Sequence, residues 1–236
     1  MKNKFVLAVA LLGLAMLACR AVTGGGTTPV SPLPTDTDLP VATDTESTDE
    51  DVLLSDDFKS IRWGTGTDAD SSVEYTDEAL RVIVFTENFF VWSTPDDRNY
   101  ENVHIEVTVI NNGTHSTTAF GILCNQQSVN SSFYYFAITP AGEYAIAKAE
   151  NGKTDVFLTN NDQWGFSDAI AQDAASYRVG ADCGRGRLAL YVDGVEIDSV
   201  SDSSYTSGRV GVFVWSGEEV ASADVSFDDF LMTRLP

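Results

Sequence analysis

Positive charge is what this chain has least of. Its 14 Lys and Arg stand against 35 Asp and Glu, giving a formal net charge of -21 and a pI near 4.1. Phosphate recognition needs clustered cations, so this balance argues against nucleic acid or anionic lipid as a partner of the exterior. Histidine is scarce as well: His104 and His115 are the 2 present. Neither has a paired Cys or His at metal-ligand spacing, which argues against a zinc centre, and His104 falls on an outward, solvent-facing strand position. No Gly-x-Ser-x-Gly elbow and no phosphate loop occurs. After the leader, no apolar run is long enough to span a bilayer, and no long stretch repeats at 3.6 residues. Cysteine is limited to Cys19, Cys124 and Cys183, with no Cys-x-x-Cys to suggest dithiol redox chemistry.

What is present is alternation. The apolar fraction of 43% is ordinary for a globular domain. Asp193-Gly194 lies between two alternating apolar runs, Leu188–Val192 and Val195–Ile197, and predicts a two-residue hairpin. That turn places Val192 opposite Val195 and Leu190 opposite Ile197 in the core, with Tyr191 and Glu196 paired on the other face. Val103, Ile105, Val107 and Val109 alternate with polar residues, as do Tyr177, Val179, Ala181 and Cys183. Leu80–Phe85, Phe120–Cys124, Phe133–Ile138, Tyr144–Ala149, Val210–Trp215 and Val225–Met232 are further predicted strands. Asn112-Gly113, Pro140-Ala-Gly142, Asn151-Gly152 and Ser207-Gly208 supply turns between them, and Ser167–Ala175 reads as a loop or a short helical turn. Many short strands in one stretch, residues 52–236, predict an all-β antiparallel sandwich or barrel in one domain.

The amino end is different. Lys2 and Lys4 precede an uncharged apolar run from Phe5 to Ala18, a secretory leader rather than a membrane span. Leu14-Ala-Met-Leu-Ala-Cys19 resembles a bacterial lipobox, departing from it at Met16. The resemblance implies that Cys19 becomes a lipidated first residue, so that 1–19 is a lipoprotein signal peptide and the chain is extracytoplasmic and held to the membrane through lipid alone. An ordinary secretory signal is the alternative. Residues 20–51, rich in Gly, Thr, Pro and Asp, bury too little to order themselves and predict an extended tether. An exported domain meets oxidising conditions, so Cys124 and Cys183, both on predicted strands, are expected to form a disulfide; two buried thiols are the alternative.

Leu188–Ile197, then Gly208-Arg-Val-Gly-Val-Phe213, then Val225-Ser-Phe-Asp-Asp-Phe230 resemble the closing half of a concanavalin A-like lectin/glucanase domain, with the laminin-G-like hairpin first. Ser55-Asp-Asp-Phe58 with Trp63-Gly64 resembles the opening of such domains, including the 3-keto-disaccharide hydrolase-like subgroup. The resemblance implies a two-sheet antiparallel jelly roll with its first and last strands adjacent. Function stays open, because the superfamily includes sugar-binding modules, glycosidases and structural domains. A glucanase of this fold needs paired carboxylates at strand spacing, and Glu74-Tyr-Thr-Asp77-Glu78 and Glu218-Glu219 have the wrong period. No catalytic residue is therefore assigned and no cofactor is expected, except that Asp56, Asp57, Asp228 and Asp229, placed side by side, suit a structural Ca2+. Trp92, Tyr134, Trp164 and Trp215 are the candidates for stacking on sugar rings, with a carbohydrate or cell-envelope glycan as partner. The rivals are a glycoside-acting enzyme, which predicts carboxylates clustered in a groove, and a structural or protein-binding envelope domain, which predicts a flat polar face.

Overall fold

Parity builds the first layer. In the strand Val103–Asn111, the four alternating aliphatics Val103, Ile105, Val107 and Val109 are fully buried, while His104, Glu106 and Thr108 turn to the opposite face. The same rule runs through the rest of a computed structural model of the chain, which describes residues 51–235 apart from 77, 129, 130, 219 and 221. The leader, Cys19 and the tether up to residue 50 lie outside the described residues. In chain order the strands are β1 (Val52–Asp56), β2 (Gly66–Thr67), β3 (Ser71–Thr76), β4 (Ala79–Val84), β5 (Phe90–Ser93) and β6 (Val103–Asn111). They continue with β7 (Ala119–Gln126), β8 (Phe133–Ile138), β9 (Glu143–Ala149), β10 (Val156–Phe157) and β11 (Gly165–Phe166). The last five are β12 (Ser176–Gly184), β13 (Arg187–Val192), β14 (Val195–Ser201), β15 (Arg209–Trp215) and β16 (Ala223–Arg234). No helix occurs among the described residues.

The strands form two antiparallel sheets, a jelly-roll sandwich. The first has the order β14-β13-β12-β6-β16-β4-β3-β2, with β1 also on β16; the second has β10-β9-β8-β7-β15-β5, with β11 also on β9. The opening and closing strands are neighbours, with Asp56 opposite Phe230. Between the sheets lies one apolar core that includes Leu80, Val107, Phe120, Phe136, Leu190, Val212 and Phe227. Cys124 of β7 and Cys183 of β12 form a disulfide through that core, with Cα atoms 6.6 Å apart, and so join one sheet to the other.

Two details of the predicted hairpin change. Asp193 and Gly194 both take positive φ, 50° and 78°, as the two-residue turn requires, and Val192 pairs with Val195 and Tyr191 with Glu196. A bulge after Leu190 then sets that residue opposite Asp198 instead of Ile197. Val195 is also not core: it lies on the edge strand β14 and is 52% exposed. The segment from Ser167 to Ala175 is a series of turns. β3 and β5 carry too little alternation to be read beforehand; each is short and takes its place by pairing with β4 and β15.

Candidate functional site

The second sheet is buried on both faces along β7 and β8, and that is the first sign of a site. Tyr134 and Phe136 of β8 pack into the core, so Phe133, Tyr135 and Ala137 must face outward. On β9 the outward residues are Ala145, Ala147 and Ala149, which pack with Ala119, Ala137 and the aromatics above them. Ala119, Ala137 and Ala149 give a low floor and the rims are aromatic: Phe90 and Trp92 from β5, Phe213 and Trp215 from β15, Phe157 from β10, and Trp164 just before β11. The result is a groove of about 760 Å³ on the outer face of this sheet.

The rims are ordered by mutual packing. Phe90 stacks on Phe213 at 4.7 Å and 10°, and Trp164 lies nearly parallel to Trp215 at 6.4 Å and 17°. The Trp215 indole N–H donates to Asn88 Oδ1 at 3.1 Å. Asn160 donates to the Trp164 carbonyl at 2.6 Å. Gly165, next to Trp164, pairs with Tyr144 of β9, and a Cβ there would come within 2.4 Å of the Tyr144 ring, which would have to shift for β11 to keep its place. Trp92, 42% exposed, offers its face to solvent.

Four carboxylates line the groove, Glu150, Asp155, Asp162 and Glu218, and no Lys, Arg or His does among the described residues. Tyr135 donates its hydroxyl to Asp155 at 3.0 Å. Burial raises the Asp155 carboxyl above its ordinary range, against the lowering effect of that hydrogen bond, and burial likewise pushes the Tyr135 phenol well up. Asp162 accepts from the Phe157 backbone N–H at 3.0 Å, and Glu150 is paired with Lys153 across the predicted Asn151-Gly152 turn.

Of the aromatics singled out in the sequence, Trp92, Trp164 and Trp215 meet in this groove. Tyr134 does not. It is fully buried between the sheets, where its hydroxyl donates to Asp202 and accepts from the Tyr205 N–H at 3.0 Å. Burial first, and then the bond to Asp202, push its phenol up to about 12. Strand parity puts Tyr135 in the groove in its stead. The groove floor was the missed feature, and part of its signal was present: after Glu143, the outward positions of β9 are Ala145, Ala147 and Ala149, the last of which lines the groove.

The four aspartates do not assemble a cation site. Asp56 turns inward, accepting from Phe58 N–H at 2.8 Å and the Trp63 indole at 3.3 Å and facing Arg62. Asp57 pairs with Lys59, and Asp229 with Arg178. Asp228 accepts from the Asp229 N–H at 2.7 Å. Among the described residues no group of three acidic, Cys or His side chains is placed to hold a metal. His104 is outward, as its parity predicts, but half-buried instead of solvated. Its Nδ1 is 2.6 Å from Asp182 and its Nε2 3.4 Å from Glu106, with the Tyr191 ring edge-on.

A two-sheet antiparallel jelly roll has known counterparts among solved structures. Carbohydrate binding module CBM66 from Bacillus subtilis superposes with a TM-score of 0.57 at 14% identity, over 73% of this chain and 95% of that one. A Bacteroides ovatus GH16 protein of a mixed-linkage glucan locus matches with 0.54 at 12%, over 77% and 100%. A Bacillus subtilis protein of unknown function with a galectin-like fold matches with 0.58 at 10%, over 78% and 96%. What this chain shares with them is the two-sheet antiparallel jelly-roll fold, and at these identities the likeness speaks for fold alone. No protein-family model matches the sequence, and no curated protein does.

Proposed function

We propose that this chain is a lipid-anchored extracytoplasmic protein whose sandwich binds carbohydrate in the groove of the second sheet. The observation that carries the reading is the alanine floor between tryptophan rims. Pyranose rings present flat C–H faces, and fixed indoles offer matching faces at little entropic cost. The groove volume lies within the usual range for small-molecule sites. Carbohydrate-binding modules and glucanases among the solved structures of similar fold support the same reading. A flat polar face, which a purely structural envelope domain would present, is not what the second sheet offers. The leader and its Cys19 support the anchored, extracytoplasmic placement. A glycan array probed with the full chain tests the reading. Retention that falls when Trp164 and Trp215 are each changed to Ala supports it; no retention on any glycan removes it.

One observation favours an enzyme of the glycoside-acting or 3-keto-disaccharide hydrolase-like kind: Asp155, a half-buried carboxyl with a raised pKa, faces the groove. Its hydrogen-bond partner is a tyrosine and not a second carboxylate, so binding remains the conclusion. Release of reducing sugar from a retained glycan, abolished by Asp155→Asn, would reverse that order.

A further inference from the structure

Resting on the glycan reading of this groove, we infer that its ligand carries protonated amines, as a partly N-deacetylated hexosamine polymer does, and that polyuronates are rejected. The first support is how charge is distributed. On the outer face of the first sheet acids are matched by arginines: Arg81 with Asp224, Arg178 with Glu106, Arg187 with Glu196. The groove is built otherwise. Among the described residues its lining holds Glu150, Asp155, Asp162 and Glu218 with no cation, and Lys153 pairs with Glu150 at the rim. A cleft of one sign with low-dielectric walls focuses its field on whatever enters, and the net charge of -21 adds to that field.

The second support is the aromatic wall. Ammonium groups are attracted to the faces of indoles, so Trp92, Trp164 and Trp215 favour the same ligand that the carboxylates favour. Asp155 adds a third. Burial disfavours its charged form, and an ammonium within hydrogen-bond reach would restore it. A neutral sugar stacks on the same rings without that gain. A uronate brings like charge to four carboxylates, a negative selection built into the site.

Calorimetric titration of the full chain with three β-1,4 hexamers of one backbone tests this: glucose, glucosamine and glucuronate. The glucosamine hexamer is expected to bind roughly tenfold more tightly than the glucose hexamer in dilute buffer, the sum of a few partly exposed ion pairs. High salt should close most of that gap, and the glucuronate hexamer should not bind. Asp155→Asn should narrow the gap, and so should Glu218→Gln on the exposed rim, which no fold defect would explain. Equal or weaker binding of glucosamine, or measurable binding of glucuronate, overturns the amine preference while leaving the glycan reading standing. Failure of the glucosamine hexamer to bind overturns the amine preference whatever the other two do, whereas the glycan reading falls only if the full array also retains nothing.

Discussion

Tyr134 and Tyr135 are adjacent in sequence and belong to opposite sides of a sheet. One is fully enclosed between the layers, and the other bonds Asp155 at the groove. Alternation makes it certain that they part, but it carries no sign, so which of them meets solvent is settled only by the register of β8 on β7 and β9. Trp92, Trp164 and Trp215 were legible as candidates because large aromatics beside strands either fill a core or line a face. Trp164→Ala should weaken glycan binding about tenfold, the loss of one stacked face, with little change in Tm. Titration of the retained glycan beside a thermal melt would check it. His104 yields a second expectation. Burial alone would lower its pKa, but hydrogen bonds with Asp182 and Glu106 more than offset this and hold the ring up to about 9, from an ordinary 6.5. A raised folded value stabilises fully below 6.5 and loses that contribution as pH climbs through about 9. Urea unfolding across that window should show declining stability, and His104→Gln should flatten the decline.

At the scale of elements, the long alternating strands β6, β12 and β16 were the most readable, because each repeats its pattern over several residues against one core. The short strands β2, β10 and β11 were not, since two residues carry no period; their neighbours recruit them. The bulge after Leu190 was equally hidden, as an inserted residue leaves composition unchanged. β9 contributes Ala149 to the groove lining. Ala149→Trp should fill the groove and abolish glycan retention while the chain still folds, which circular dichroism and a pull-down would show together. The bond between β7 and β12 closes a loop of 59 residues in sequence separation. Replacing Cys124 and Cys183 by Ala should cost about 4 kcal/mol in the chain-entropy view, or roughly 10 °C in Tm for a domain of this size, measured by calorimetry.

For the molecule as a whole, charge and position fit together. A strongly acidic chain repels anionic headgroups, which fits the proposed attachment through acyl chains at Cys19. Cys19→Ala should therefore move the chain from the membrane fraction to the soluble one, as read by fractionation and blotting. The entry strand β1 lies in the first sheet, whereas the groove opens on the second. On the proposed anchoring and glycan binding, a chain fastened at its amino end and gripping a polymer in that groove would be pulled from opposite layers. Traction enters through β1, leaves through the rims around Trp164 and Trp215, and shears the two layers past each other. The Cys124–Cys183 link lies across that shear plane. Reduction would thus matter less to how tightly a resting molecule holds the proposed glycan than to how long it stays intact under load.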